Sequence, residues 1–259
     1  MFMGVKISNV DYRRTYDTIG RIIKNKGKGY VCLNDVGNIM DATDDKELKS
    51  AINESTFSLS DGTPLAWYGR LAGCTEIERI SGMYFLKQML GERDGLKHFL
   101  LGDTDETLSK VIKEAKKLNG DINIAGYYSP PFKKFTEEDN REIMKEVKKA
   151  DPDIIWVSFG GGKQEKWMHQ QIQHLDRGIM VGAGAAFKWL IGEIVTPPNV
   201  LQSLGLQWLY RLVQEVLKDP KAARAFYKRR KMIRKKVSFL VNLPYEVTLA
   251  RRSLKEKRS

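Results

Sequence analysis

Three short stretches of the sequence combine residue types that could take part in catalysis or bind a ligand. The first runs from Phe159 to Trp167, reads FGGGKQEKW and follows the apolar run DIIWVS. Glycines at a strand-to-helix junction let backbone N–H groups face outward, and an anion is stabilised at such a helix N-terminus. The pattern predicts an anion site at Gly160, Gly161 and Lys163. An ordinary tight turn with a solvated lysine fits the same residues equally well.

The known phosphate-binding loops do not fit this stretch. In a P-loop the glycine–lysine pair is followed by Ser or Thr, whereas Gln164 follows here, and Val157 stands where the first glycine belongs. The dinucleotide fingerprint fails as well, because its last glycine is missing.

The second stretch, FSLSDGTPLAWYGR, places Asp61 after a short β-like run and before Gly62 and Pro64. A carboxylate at the carboxyl end of a strand is well placed for a general base. The residue types alone slightly favour the other interpretation, in which Asp61 only caps the following helix.

The third stretch, Asp103-Thr104-Asp105, matches the DxD pattern with which many sugar-nucleotide transferases hold a divalent metal ion. The same residues before an amphipathic helix are typical of a helix N-terminus, and this interpretation is preferred. The histidines His98, His169 and His174 form no metal-binding motif. We therefore predict no metal site.

The elements that must position these stretches are strands alternating with amphipathic helices. Such alternation predicts an α/β fold, a Rossmann-like, mostly parallel sheet with helices on both faces and ligands at the carboxyl ends of the strands. Five apolar runs are predicted as strands buried on both faces: YVCLN (30–34), KHFLLG (97–102), INIAGY (122–127), DIIWVSFG (153–160) and GIMVGAG (178–184). DETLSKVIKEAKKL and TEEDNREIMKEVKKA are predicted as crossover helices.

Charge divides the chain into two parts. Residues 197–259 hold 16 Lys and Arg against 4 Asp and Glu, while residues 1–196 hold 28 of each, so the whole formal charge of +12 belongs to the tail. We predict an α/β core over 1–196 and a basic helical appendage over 197–259, with helices from Val200 and from Pro220.

Nothing resembles a signal peptide or a membrane span, and Cys32 and Cys74 are expected to be reduced, so a cytoplasmic protein is expected.

The tail has the composition of a helix that lies on an anionic membrane. Between Lys218 and Lys236, ten bases face one acid, interleaved with apolar residues such as Phe226 and Ile233. A solvated basic helix and a nucleic-acid-binding surface remain as alternatives on composition alone.

The motifs SDGTP, ERISG, GGKQEKW, GAGAAFKWLIG and GLQWLYRL occur in this order. From about Val5 to about Arg224 the chain resembles the WecG/TagA/CpsF glycosyltransferases. The resemblance implies a Rossmann-like core and a UDP-sugar donor. It also implies transfer of N-acetylmannosamine or a related sugar, with inversion, to undecaprenyl-diphosphate-linked GlcNAc. Neither a metal ion nor another cofactor is implied.

The resemblance also implies roles for individual residues. Asp61 falls on the family's proposed base, and Asn34, Arg79 and Gln164 fall on its substrate-binding positions. The remaining residues assigned to substrate binding are Gly126, Tyr127, Gly160, Gly161, Lys163, Arg211, Lys218, Lys221 and Arg224, of which the last four are expected to fold over the diphosphate.

The more serious departures from the family pattern are Tyr84, Lys188 and Thr196, so the donor sugar is left open. A lipid-linked acceptor implies a peripheral protein on the inner face of the cell membrane, docked through the tail and not bound to nucleic acid. A nucleotide-binding module whose basic arm binds nucleic acid is kept as the alternative function. The oligomeric state is open, with a homo-oligomer among the options.

Overall fold

The computed structural model describes residues 1–198, 200–201, 210 and 223–256. Its centre is a six-stranded sheet in the order β2-β1-β6-β5-β3-β4, in which every pairing is parallel. The strands are β1 (Lys28–Asn34), β2 (Phe57–Ser60), β3 (Lys97–Gly102), β4 (Asn123–Tyr128), β5 (Ile154–Ser158) and β6 (Gly178–Gly182). The predicted Rossmann-like α/β class is confirmed.

Helices connect and cover the strands. They are α1 (Tyr12–Lys24), α2 (Val36–Asp44), α3 (Lys46–Glu54), α4 (Thr63–Leu71), α5 (Gly82–Gly91), α6 (Asp105–Leu118), α7 (Glu137–Ala150), α8 (Lys163–Gln171), α9 (Ala186–Leu190) and α10 (Ala223–Glu256), and a 3-10 turn spans Ile172–His174. The two predicted crossover helices are confirmed as α6 and α7. Each has acids in its first turn and lysines in its last turn, which complements the helix dipole.

Apolar side chains form one core on each face of the sheet. Helices α1, α5, α6 and α9 cover one face, where Phe85, Trp156 and Phe187 are fully buried. Helices α7 and α8 cover the other face through residues such as Val147 and Met168. Four of the five predicted strand runs are buried as expected. The fifth, β4, is not, because it forms the edge of the sheet and is only partly covered.

The described part of the tail packs directly on the core. Phe239 of α10 is buried and its ring stacks on that of Phe2, with centroids 4.5 Å apart. The contact cluster includes Val36 and Met40 of α2 and Tyr68 of α4. The helix predicted from Val200 lies almost wholly outside the described residues, as does Pro220.

Candidate functional site

The carboxyl ends of β1 and β2 bring Asn34 and Asp61 together. Asn34 is the last residue of β1 and pairs with Ser60 of β2, and its carbonyl oxygen accepts the N–H of Asp61 at 2.9 Å. Because all strands are parallel, the ends of β6 and β5 open onto the same edge. This is where parallel α/β sheets bind ligands.

Asp61 is held by the helix on its other side. Its Oδ1 atom accepts the N–H of Gly82, the first residue of α5, at 3.0 Å. The positive end of the α5 dipole therefore stabilises the carboxylate anion. Asp61 does not cap α4, because the N-cap of α4 is Gly62. The structure thus removes the simple capping interpretation that its sequence context slightly favoured.

Arg79 lies beside the same strand end. Ser60 Oγ donates to the carbonyl oxygen of Glu78 at 2.6 Å, and the N–H of Ile80 donates to the carbonyl oxygen of Ser60 at 2.9 Å. These bonds fix the backbone on both sides of Arg79 next to the residue that precedes Asp61. Sequence spacing alone could not show this, because 18 residues separate Arg79 from Asp61.

A set of buried and partly buried hydrogen bonds forms the floor of the carboxyl edge. Asn34 Nδ2 donates to Ser58 Oγ, and Asn38 Nδ2 donates to Asn34 Oδ1, each at 3.0 Å. The Asn38 side chain also lies near the Glu165 carboxyl and lowers its pKa. Gln164 Nε2 then donates to Glu165 Oε1, and Gln164 Oε1 accepts the N–H of Gly184, each at 3.0 Å. We call this group of residues the edge network; its members are Ser58, Asn34, Asn38, Glu165, Gln164 and Gly184.

The edge network contains both substrate-binding amides that the resemblance implied, Asn34 and Gln164, and both are buried. Their oxygen atoms accept bonds from protein groups, which fixes the orientation of each amide. The residues that orient them, Asn38 and Glu165, were missed by the sequence analysis. The available signals were the four-residue spacing from Asn34 to Asn38 on a helix and an acid three residues after Gly162.

Glu165 organises the glycine turn, residues 160–162. It is fully buried, and its Oε2 accepts the N–H of Gly162 at 2.6 Å. Burial raises the pKa of its carboxyl, while bonds from Gln164, Gly162 and Asn38 act in the opposite direction. One backbone donor of the turn is therefore occupied by the protein itself, in the manner of half a capping box.

The rest of the glycine turn faces outward. Gly160 and Gly162 have φ values of 86° and 79°, a region that side chains with a Cβ rarely adopt. Gly160, Gly161 and Lys163 are exposed. The predicted anion site thus consists of these three residues around a turn whose shape is fixed from below by Glu165.

Gly126 and Tyr127 lie away from this group. They are on β4, at the opposite edge of the sheet from β2, and five strand spacings of about 4.8 Å correspond to about 24 Å. Tyr127 pairs with Leu100, in the middle of β3, and a Cβ at Gly126 would meet the ring of Phe99 at 3.0 Å. The structure gives Gly126 a packing role and does not bring either residue to Asp61.

The basic residues assigned to the tail cannot be placed at the edge. Arg211, Lys218 and Lys221 lie outside the described residues, and Arg224 lies in α10 with only its backbone described.

The DxD stretch begins α6. Thr104 is its N-cap and accepts the N–H of Thr107, and Asp105 is exposed in the first turn. Asp103 Oδ1 accepts the N–H of Thr104 at 3.0 Å, and its Oδ2 lies 3.9 Å from Lys188 Nζ. Across the residues with described side chains, no three His, Cys, Asp or Glu come together as a set of metal ligands.

The outer face of α10 is apolar. Five of its large side chains are exposed while the opposite face packs on the core: Val237, Leu240, Val241, Tyr245 and Leu249, which we call the α10 stripe. Val241 is 72% and Tyr245 65% exposed. The exposed side chains of Arg234 and Arg252 lie toward its two ends. In the described parts of the chain, no helix is long and apolar enough to cross a bilayer.

The carboxyl edge of the parallel sheet thus gathers a carboxylate, two oriented amides and a glycine turn, and it is at this edge that α/β proteins of this kind bind ligands. The chain belongs to the glycosyl transferase WecG/TagA/CpsF family, whose model matches residues 1–233. The resemblance read from the motifs is confirmed. The class of protein is therefore that of the glycosyltransferases.

Two relatives carry the same name, N-acetylglucosaminyldiphosphoundecaprenol N-acetyl-beta-D-mannosaminyltransferase. The protein of Bacillus subtilis (strain 168) is 27% identical over 174 residues, which are 66% of this chain and 66% of that protein. The protein of Bacillus spizizenii (strain ATCC 23059 / NRRL B-14472 / W23) is 26% identical over 193 residues, or 73% of this chain and 72% of that protein.

Proposed function

We propose that the chain transfers N-acetylmannosamine or a related sugar from a UDP-sugar to undecaprenyl-diphosphate-linked GlcNAc, with inversion and without a metal ion, in the synthesis of a cell-surface polymer. The observation that carries this proposal is the placement of Asp61, whose carboxylate is held by the N–H of Gly82 at the carboxyl edge, beside Asn34. The names of the relatives supply the acceptor and the sugar. Family membership favours this function over nucleic-acid binding.

Asp61 acts as the general base. Its carboxylate takes the proton of the attacking acceptor hydroxyl while the hydroxyl oxygen bonds to the anomeric carbon of the donor. The bond from that carbon to the diphosphate oxygen breaks on the opposite side, and its electron pair leaves with UDP. A single displacement of this kind inverts the anomeric centre.

The leaving diphosphate is stabilised by the glycine turn. The exposed residues Gly160, Gly161 and Lys163 lie at the start of α8, where the helix dipole favours negative charge. Asn34 and Gln164, oriented by the edge network, position the sugars, and Arg79 contributes a cation beside Asp61. Arg211, Lys218, Lys221 and Arg224 of the tail add positive charge over the diphosphate.

Metal independence is supported by the state of the DxD stretch. Asp103 already accepts a backbone N–H and faces Lys188, and Asp105 lies in the first turn of α6. Both carboxylates thus lie at the N-terminus of α6, where they stabilise the helix. The cationic groups named in the preceding paragraph neutralise the charge of the leaving diphosphate.

The α10 stripe supports peripheral docking on the inner face of the membrane. Apolar side chains flanked by arginines suit the boundary between headgroups and acyl chains, where apolar burial and attraction to anionic lipid add. A lipid-linked acceptor requires the active site to work at that surface.

The reaction is tested by following UDP release from a panel of UDP-sugars with a soluble lipid-diphosphate-GlcNAc analogue. We expect acceptor-dependent release with UDP-N-acetylmannosamine or a close relative, and unchanged release in the presence of EDTA. Absence of transfer with every donor would overturn the proposed reaction, and loss of activity in EDTA that Mn²⁺ restores would overturn its metal independence.

Docking is tested with the double variant Val241→Ser, Tyr245→Ser. Both side chains are exposed, so the fold is retained, and binding to anionic vesicles should fall by at least tenfold. The matched control is Val195→Ser, which removes an exposed valine outside α10 and should bind as the wild type does. Equal binding by the double variant would exclude the stripe as the docking surface.

A further inference from the structure

The loop after β4, residues 129–135 with the sequence SPPFKKF, exposes an aromatic side chain beside two lysines. Phe132 is 98% exposed, more than any other large apolar side chain that the structure describes. Lys133 and Lys134 are exposed next to it. The loop follows the carboxyl end of β4 and so lies at the carboxyl edge of the sheet, as the candidate site does, although β4 is the outermost strand on the side away from β2.

This exposure belongs to an anchored loop. At its start, Ser129 Oγ donates to the carbonyl oxygen of Asp103 at 2.6 Å, and Pro130 is buried. In the middle, the N–H of Lys133 donates to the carbonyl oxygen of Pro131 at 2.8 Å, which closes a turn around Phe132. Both contacts hold Phe132 outward instead of letting it fold back onto the core.

The end of the loop is attached to the glycine turn. The ring of Phe135 packs edge-on against that of Phe159, with centroids 5.0 Å apart, and Phe159 packs on Trp167 of α8 in the same way. Phe159 immediately precedes Gly160. The loop therefore borders the place where the donor diphosphate is proposed to bind.

The two lysines differ in their partners. Lys133 Nζ lies 3.0 Å from Asp139 Oδ1, so its charge is balanced within the loop region. Within the described part of the chain, Lys134 takes part in no ion pair and remains available to an external anion. An exposed aromatic ring beside an available cation is the combination that favours the headgroup region of an anionic bilayer.

We propose that loop 129–135 is a second membrane contact, separate from α10, in which Phe132 inserts at the headgroup boundary and Lys134 binds lipid phosphate. Since Phe135 ties this loop to the glycine turn, the contact would bring the carboxyl edge to the bilayer surface, where a lipid-linked diphosphate lies. The purpose of the contact rests on the proposed function, but its existence can be tested without any substrate.

The first experiment measures binding to vesicles of equal parts phosphatidylglycerol and phosphatidylcholine. Phe132→Ser should bind about tenfold more weakly and Lys134→Gln about fivefold more weakly than the wild type, as expected for one partly buried aromatic ring and one lysine. Phe132→Trp should restore binding, because tryptophan is favoured at the interface. The matched control is Lys116→Gln, an exposed lysine in the last turn of α6, which should change binding less than about twofold.

The second experiment locates the loop directly. A polarity-sensitive fluorophore is attached to Phe132→Cys in a Cys74→Ser background, in which the remaining thiol, Cys32, is buried. Its emission should shift to the blue when vesicles are added, whereas the same label on Lys116→Cys should not shift. No shift at position 132 while the protein sediments with vesicles would overturn the proposal.

Two further outcomes separate this inference from others. If Phe132→Ser instead abolishes a dimer seen by sedimentation velocity without lipid, the side chain serves self-association and the membrane contact is rejected. If the vesicle results hold but the wild type transfers no sugar to any lipid-diphosphate acceptor, the proposed function fails while the contact stands. Turnover of a soluble acceptor by Phe132→Ser should remain within about twofold of the wild type, since the residue contacts the membrane and not the reacting atoms.

Discussion

Two buried titratable side chains, one in α8 and one in β3, have opposite surroundings. Glu165, at the carboxyl edge, accepts bonds from Gly162 and Gln164 and lies near Asn38 of α2, so it links the glycine turn with two helices that border the candidate site. His98, near the start of β3, accepts a bond from Trp156 Nε1 at 3.2 Å and stacks on its ring. Burial thus does not by itself mark a functional residue. Glu165 differs because its partner Gly162 belongs to a turn in which Gly160 and Gly161 are exposed. The described partner of His98, Trp156, is itself buried.

The largest effect on transfer is expected at Asp61, the proposed base, which lies beside the edge network. Asp61→Asn keeps the shape of the side chain but removes the base, so transfer should fall by about 10² to 10⁴ while the melting temperature stays within a few degrees. Asp35→Asn is the control at the same edge, because Asp35 caps α2 and asparagine caps equally well. Turnover of Asp61→Asn close to the wild-type rate would rule out the assigned base.

The next largest effect is expected at Glu165, where two variants test whether the side chain acts through its hydrogen bonds or through its negative charge. Glu165→Ala removes the acceptor of the Gly162 and Gln164 bonds, so turnover should fall by about tenfold to a hundredfold and stability by about 1–3 kcal/mol. Glu165→Gln keeps one acceptor and should recover most of the turnover. If Glu165→Ala and Glu165→Gln show the same turnover, Glu165 does not act by orienting its neighbours.

The pH dependence of Glu165→Gln sharpens this test. Because the folded-state pKa of Glu165 lies above its unfolded value, the wild type loses stability as pH rises through the folded pKa. The variant lacks this loss, so its unfolding free energy relative to wild type should increase from pH 4 to pH 8. Urea unfolding at several pH values measures the difference in unfolding free energy between the variant and the wild type. A difference that does not change with pH would contradict a raised pKa of Glu165.

His98 should give the reverse pH dependence and no catalytic effect. Burial lowers its pKa from 6.5 to about 4, so the unfolded chain binds the proton more readily and stability falls as pH drops through this window. The loss should reach about 3 kcal/mol at most. His98→Gln should remove this part of the pH dependence while transfer per folded molecule at pH 7.5 stays unchanged. A marked drop in that specific activity would show that the two regions are coupled.

The smallest effect is expected for a charged pair just outside the network. Lys166, next to Glu165, pairs with Asp45 at 2.6 Å and with Glu47 at 3.0 Å near the surface. Lys166→Gln should cost less than about 1 kcal/mol and leave turnover unchanged. A large loss of turnover would mean that charge around α8 matters as much as the buried bonds do.

Much of the fold could be predicted because its signals are local. The boundaries of α6 and α7 follow from acids at the start, bases at the end and apolar residues at helical spacing, and the β3 run matches the observed strand. The error at β4 arose because an edge strand and a central strand share the same apolar composition. Strand order, which is a property of the whole sheet, decides which of the two is covered.

The candidate site was predictable only in part. Asp61 and the glycine turn carry local signals, but the contact of Asp61 with the N–H of Gly82, 21 residues away in sequence, is visible only in the structure. Asn38 and Glu165 were missed because each resembles an ordinary helical polar residue until the sheet brings them together. Gly126 and Tyr127 were assigned to substrate binding, yet the strand order places them on β4, at the opposite side of the sheet from β2.

The sequence by itself determined the α/β class, the charged tail and the identity of the residues that could do chemistry, because periodicity, charge and motif spacing are properties of the chain. Only the tertiary structure decided which of those residues meet, through the parallel register that aligns Asn34 with Ser60 and through the bonds that join Asn38 to Asn34 and Gln164 to Glu165. It also decided which face of α10 is covered and that Phe132 is held outward. Hydrogen bonds and burial depend on groups that are distant in sequence, and folding alone brings those groups within reach.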